Sequence, residues 1–290
     1  MTDATLDCTI VVATYNRRSE LAHTLARLTM LRSKPEVIVV DNGSSDGTRE
    51  LLARKFPAVR TIALERNLGA AARTVGVRAA ATRYIAFCDD DCWWQDGAIE
   101  RAVDIMEGSP NVALVNARVV VGKTQRTDDA CLLMAQSSVP KRHPCPGTAI
   151  AAFMAGAAIC RRDAFLRAGG YDERFLIGAE ESLLAIDLLA AGWDLIYVDD
   201  VVLHHAPSSA RNATAGRTRM IRNRLWTTWL RRPLADALRY TVRSAADALH
   251  DRVARQAFFE ALHGIDWILR ERRPVSGSLN LALRQVVESS

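Results

Sequence analysis

The sequence has no apolar run long enough to cross a bilayer. Its longest weakly polar stretch, AIAAFMAGAAIC at 149–160, falls well short of the ~20 residues a transmembrane helix needs. The N-terminus, MTDATLDCTIVVATYNRR, puts acids ahead of its apolar run and has no basic n-region, so no signal peptide is expected. Cysteine is sparse: six residues, scattered, with no CxxC pair. That argues against a disulfide framework or a zinc site, and for reduced, buried thiols in a cytoplasmic protein. Cys88 and Cys92 flank three aspartates without a His or Cys neighbour at ligand spacing, so both read as packing residues. Internal repeats, low-complexity tracts, helix-turn-helix patterns and RNA-binding motifs are all missing, which argues against nucleic acid as a partner. No pattern marks an oligomer interface. No GxGxxG follows the first apolar segment, where TYNRRSE stands, and no GxxxxGK[ST] loop occurs. These absences argue against a dinucleotide-binding oxidoreductase and a P-loop NTPase.

What is present is a 290-residue chain, 49% hydrophobic, able to bury a substantial core. TIVVAT (9–14), EVIVVDN (36–42), RTIAL (60–64) and YIAFCDD (84–90) read as strands, and helical patterns lie between them around 17–31, 47–56 and 70–82. The alternation β-α-β-α-β-α-β predicts a Rossmann-like α/β fold, a mostly parallel central sheet flanked by helices. Further on, VALVNARVVV (112–121) predicts a strand, 124–147 an irregular excursion, and ICRRDAFLRAGG a short helix closed by glycine. A helix over 180–191 and a strand DLIYVDDVVLHH follow, and after Pro207 the chain reads as a helical extension broken at Pro233 and Pro274. The expected division is a ligand-binding half at 1–120, a second half at 121–206 and a basic helical extension at 207–290. The net charge of +5 belongs to that extension: from Arg211 onward there are fifteen arginines against seven acids.

In parallel sheets ligands sit beyond the carboxyl ends of the strands. TYNR, DNGSSDGT, ERNLG and DDD all fall at such ends. Asp89, Asp90 and Asp91 close a buried strand, where like charges repel and raise one another's pKa. Their hard oxygens suit Mg²⁺ or Mn²⁺ holding a phosphate; the bland reading is a solvated acidic turn before a helix. Asp41 can accept the N3–H of a uracil or thymine, or a ribose hydroxyl, or simply form an ordinary turn. Glu180 and Glu181 stand at a helix start, where acids are favourable in any case; as neighbours they also raise one pKa toward that of a general base.

In VVATYNR, VVVDNGSSDGT, RNLGAAARTVG, FCDDDCWW, GGYDERFLIGAEESLLAIDLLAAGW and VVLHH, in that order, the chain resembles the inverting family 2 glycosyltransferases of the GT-A fold, especially rhamnosyltransferase-like members, over about residues 8–205. The resemblance implies that Thr14, Tyr15 and Asp41 hold the nucleotide base, with Asn16 and Arg17 in the same donor-binding motif. It implies that Asn67 and Arg73 border the diphosphate, and that Asp89, Asp90 and Asp91 form the DxD metal and ribose element, with Asp89 and Asp91 as ligands of a divalent metal, Mg²⁺ or Mn²⁺. His204, rather than His205, is the further ligand expected, because adjacent strand residues point to opposite faces. Glu181 is the expected base, with Glu180 its acidic partner. Leu183 stands where relatives often have Asp, and Asp187 where they often have Arg.

The activity implied is metal-dependent, inverting transfer from a nucleotide-diphosphate sugar, UDP or dTDP favoured, to a hydroxyl of a glycan, lipid-linked or small-molecule acceptor. The rivals are a catalytically inactive sugar-nucleotide-binding subunit and a nucleotidyltransferase, though TYNRRSE lacks the glycine-rich basic loop of the latter. Within RTRMIRNRLWTTWLRRP (217–233), Arg219, Arg222 and Arg224 beside Trp226 and Trp229 read as a packing helix, as a peripheral contact with the inner face of the membrane, or as a nucleic-acid patch.

Overall fold

A computed structural model of the chain describes residues 6–207 and 213–288. Residues 1–5, 208–212 and 289–290 lie outside the described residues; they include the N-terminal acid Asp3 and Arg211, the first arginine of the basic extension. The first half alternates as expected: β1 (Cys8–Thr14), α1 (Arg18–Leu28), β2 (Glu36–Asp41), α2 (Thr48–Lys55), β3 (Arg60–Ala63), α3 (Ala71–Ala79) and β4 (Tyr84–Asp89). Then come β5 (Cys92–Trp94), α4 (Ala98–Gly108), β6 (Val112–Val121), β7 (Arg126–Thr127), α5 (Asp129–Ala135), β8 (Thr148–Ala149), β9 (Ala158–Arg161), α6 (Arg162–Arg167), α7 (Glu180–Ala190) and β10 (Asp194–His205).

The main strand order is β3-β2-β1-β4-β9-β6-β10-β5. Neighbours from β3 to β4 run parallel, as do β6 and β10, while β9 and β5 are antiparallel to the strands beside them. Ile10, Val11 and Val12 are all fully buried, because helices cover both faces of the sheet and an alternating pattern would put polar groups in the core. Besides the two-residue β7 and β8, two strands escape the sequence reading. ICRRDAFLRAGG is not all helix: Ile159 and Cys160 belong to β9, wedged between β4 and β6, and α6 starts only at Arg162. A four-residue strand has too few positions to show a period, and its partners lie more than forty residues away in sequence. β5 is the other, three residues paired with the end of β10.

The extension is helical and breaks at the two expected prolines, with two further breaks at Asp251 and Gly264: α8 (Ala213–Arg231), α9 (Leu234–His250), α10 (Arg252–Leu262), α11 (Ile265–Glu271) and α12 (Gly277–Glu288). Asp251 caps α10, its side chain accepting from the Val253 and Ala254 amides. Of the three readings of 217–233, packing describes what the two tryptophans do. Trp226 is buried against Phe175 and Trp267, and its Nε1 donates to Ala261 O at 2.9 Å. Trp229 Nε1 donates to Thr241 Oγ1 at 2.9 Å. Arg222 covers the Trp226 ring, 4.4 Å from its centroid. No helix among the described residues is long and apolar enough to span a membrane.

Candidate active site at the strand tips

The parallel register sets Thr14 beside Asp41 and Ala13 beside Asp89, so the polar ends of β2, β1 and β4 stand side by side. The tips are stitched together. Asn16, in the left-handed region at φ 52°, donates its amide to Ser44 Oγ at 2.9 Å and accepts from the Ser45 amide at 2.8 Å. Asp41 is wholly buried, accepting from the Ser44 amide at 3.1 Å and pairing with Arg49 Nε at 2.7 Å. Asn67 closes its own turn, accepting from the Gly69 amide at 2.7 Å. Tyr15 remains 46% exposed, an aromatic face at the rim.

The repulsion expected among the three aspartates is met by two arginines. Arg17 Nε lies 2.8 Å from Asp90 and its terminal nitrogen 2.7 Å from Asp91, while Arg73 pairs with Asp89. Asp90 is turned inward: Thr14 Oγ1 donates to it at 2.8 Å and Thr24 Oγ1 donates to its carbonyl at 2.9 Å. Asp90 and the Thr14 hydroxyl thus bond each other. Burial pushes the Asp90 carboxyl up to about 7, against the opposing pull of Arg17 and Thr14. Asp89 is the most open of the three, its side chain 33% exposed. The chain passes so close to it that a Cβ on Gly156 would lie 2.4 Å from its Cγ.

The histidines correct the sequence reading. They do point to opposite faces, but it is His205 that faces the aspartates: its Nε2 is 3.6 Å from Asp91 Oδ1. His204 pairs across the strands with Trp93 and stacks on it, ring centroids 5.5 Å apart. Alternation along β10 fixes that one imidazole turns away; pairing with β5 decides which. One donor atom each from Asp91, Cys92 and His205 lie within 4.8 Å of one another. His205 Nε2 is buried without a hydrogen bond to a described residue, and a buried polar atom of that kind fits a ligand. The Cys92 thiol is held protonated, burial and then Asp89 raising it well above its usual range. The oxygen and nitrogen donors of Asp91 and His205 thus suit a hard or borderline divalent ion better than a thiophilic one.

The acidic pair lies across the cleft. The loop before α7 is pressed onto the start of α3: the Ala70 amide donates to Leu176 O at 2.6 Å, and a Cβ on Gly69 would come within 1.8 Å of that oxygen. Only glycine, here at φ 60°, permits the contact. It brings Glu180 and Glu181 into the field of Arg73, the same guanidinium that pairs with Asp89. Glu180 is buried and shifted upward by desolvation; Glu181 is pushed up to about 7 by burial and then by Glu180. Tyr171 shares this pocket, its hydroxyl buried without a hydrogen bond to a described residue.

Further along α7, on the face that carries Glu180, Leu183 and Asp187 meet the extension. Leu183 packs in a cluster with Phe175, Leu225, Trp226 and Leu230. Asp187 forms a two-pronged pair with Arg231, one arm at 3.0 Å. Asn223, wholly buried on α8, donates to Phe175 O at 2.9 Å and to Gly178 O at 2.5 Å, clamping the loop that delivers the glutamates. Sequence reasoning missed Asn223; the one available signal was an amide inside an arginine- and tryptophan-rich helix. The two departures at Leu183 and Asp187 therefore face α8, and this docking is the physical account of both.

Residues 9–167, more than half of the chain, match the family described as Glycosyl transferase family 2. The N-acetylglucosaminyl-diphospho-decaprenol L-rhamnosyltransferase of Mycobacterium tuberculosis is 26% identical, the match covering 69% of this chain and 76% of the relative. Glycosyltransferase AglE of Haloferax volcanii is 32% identical over 46% of this chain and 48% of its own length. Among solved structures, a mannosyltransferase of Pyrobaculum calidifontis in complex with GDP-Man and Mn²⁺ superposes with a TM-score of 0.59 at 21% identity, covering 98% of this chain and 85% of its own. GalNAc-T7 with UDP, GalNAc and Mn²⁺ does so at 0.66 and 16% identity, over 92% of this chain and 56% of its own. These likenesses establish the expected GT-A fold. With its motifs and its fold in agreement, the chain belongs to glycosyl transferase family 2 and is a glycosyltransferase.

Proposed function

We propose that the protein transfers a sugar, with inversion, from a nucleotide-diphosphate donor to an acceptor hydroxyl, and that the reaction needs a divalent cation. One observation carries this: Arg73 stands between Asp89 at the tip of β4 and the acidic pair on α7, joining the acidic cluster at the strand tips to a half-buried carboxyl raised to about 7. Tyr15 offers a ring face to the base, and Asp41, Asn16 and Asn67 shape the turns around it. Thr14, Asp90 and Arg17 hold the tips in register. Asp89 and Asp91, with His205 in place of His204, would hold Mg²⁺ or Mn²⁺, which neutralises charge on a diphosphate leaving group. Glu181 takes the proton of the acceptor hydroxyl as its oxygen bonds to the anomeric carbon; the bond from that carbon to the diphosphate breaks, and the electron pair leaves with the nucleotide. A base near the working pH suits that step.

A UDP or dTDP carrier is the donor proposed, and a lipid-linked diphosphosaccharide is the acceptor class that the name of the mycobacterial relative supports. The division at 120 and 206 goes with this reading, donor half before acceptor half. A cytoplasmic address goes with it too, supported by six free cysteines, five of them buried. Thermal shift with UDP, dTDP and GDP, each with Mn²⁺, Mg²⁺ or EDTA, tests the proposal, because a ligand bound only by the native state raises apparent stability. Stabilisation that EDTA abolishes is expected, and it should vanish in Asp91→Asn; no response to any nucleotide would overturn the donor site.

A further inference from the structure

Helix α9 is built inside out. Its buried positions are Asp236, Ala237, Ser244 and Ala248, small or polar residues, while Leu234, Leu238, Val242 and Leu249 are 55, 50, 70 and 74% exposed. At 3.6 residues per turn these four fall within roughly 80° of arc, a single stripe along the helix. A helix selected only for core packing turns its leucines the other way. The inner face is nonetheless well held: Asp236 accepts from Asn280 Nδ2 at 2.7 Å and pairs with Arg284. The orientation is therefore not a consequence of loose packing.

We propose that this stripe rests on an anionic phospholipid surface. Charge selects the partner. Arg239 and Arg243 run along one flank of the stripe and are both exposed, Arg239 with its side chain 66% accessible. Arg252 and Arg255, also exposed, continue the cationic surface into α10. Of the described acids beside them, Asp236 sits on the inner face 3.5 Å from Arg239, Asp247 lies on the far side of the arginines from the stripe, and Asp251 caps α10 and pairs with Arg217. An apolar face bordered by arginine fits the boundary between acyl chains and phosphate headgroups, with the leucines below and the guanidiniums at the phosphates. A second copy of the chain would instead bring like charges together. This places lipid contact on α9 rather than on 217–233, whose tryptophans are taken up in packing. The inference stands apart from the transferase chemistry.

The experiment is sedimentation of the full chain with vesicles, either pure phosphatidylcholine or equal parts phosphatidylcholine and phosphatidylglycerol. Binding to the anionic vesicles only, weakened by salt, is the expected result. It should fall at least about tenfold in Arg239→Gln/Arg243→Gln and in Leu238→Ser/Val242→Ser, while the nucleotide thermal shift stays unchanged in both. A native chain that remains in the supernatant overturns the proposal. So does equal binding to neutral vesicles, or light scattering that shows a dimer split by Leu238→Ser/Val242→Ser. Since nucleotide binding is read separately, loss of the donor response alone would count against the transferase proposal and leave this one standing.

Discussion

Glu181 shows how a single residue acquires a role from its surroundings. An exposed glutamate titrates near 4.3 and would be a feeble base at neutral pH; burial beside Glu180 moves this one to about 7. The sign is fixed by the chemistry: the base works only when ionised, so kcat should rise with pH through about 7 and level off above it. Glu181→Gln is expected to lower kcat by at least ~10² and to remove that rise, while leaving the nucleotide thermal shift intact. An unchanged pH–rate profile in the variant would assign the base elsewhere. Stability runs the other way. Because the folded pKa lies above the unfolded one, the contribution of this group is full below about 4.5 and is lost as pH climbs through about 7. Glu181→Gln should therefore flatten the decline in stability over that window, as read by urea unfolding at several pH values.

At the scale of elements, α7 carries the glutamates in its first turn and docks on α8 through Leu183 and Asp187, which lie within roughly 60° of Glu180 around the helix. The Asp187–Arg231 pair is mostly buried, the side chains 19% and 14% exposed, which sets it between exposed pairs worth less than about 1 kcal/mol and fully buried ones whose breakage costs about 3–5 kcal/mol. Asp187→Ala should cost about 2 kcal/mol by chemical denaturation and lower kcat more than it raises KM, because it loosens the helix that carries the base. A change in KM alone would separate the α8 contact from catalysis. The sequence reading stopped short here. Leu183 and Asp187 were recognisable as departures from relatives, but the partner that explains them lies forty residues or more further along the chain, and no local period encodes a contact at that distance.

For the whole molecule, the extension packs on the loop and helix that carry the glutamates. Phe175 and Leu183 are buried only with the help of Leu225, Trp226 and Leu230, and Asn223 satisfies carbonyls of the loop before α7. A chain ended at Pro207 is expected to melt at lower temperature and to lose transfer; equal melting and activity would show the extension to be dispensable.

The parallel half of the sheet was legible in the sequence because β-branched runs and helical periods alternate with short connections, and a chain with that pattern has few ways to bury its apolar faces. The convergence of four strand tips followed from the parallel arrangement, and the ordered motifs carried the family. Local pattern did not extend to choices made across the fold. Arg17 and Arg73 neutralise the aspartates because β1, α3 and β4 are brought together. His205 faces Asp91 because β5 sets the phase of β10, and α9 turns its leucines outward because its inner face packs on α8 and α10, with Asp236 held by α12. The sequence by itself determined the elements and the chemistry available at their ends. Tertiary structure decided which groups meet, since pairing between distant segments depends on the packing of the whole chain rather than on any stretch of it.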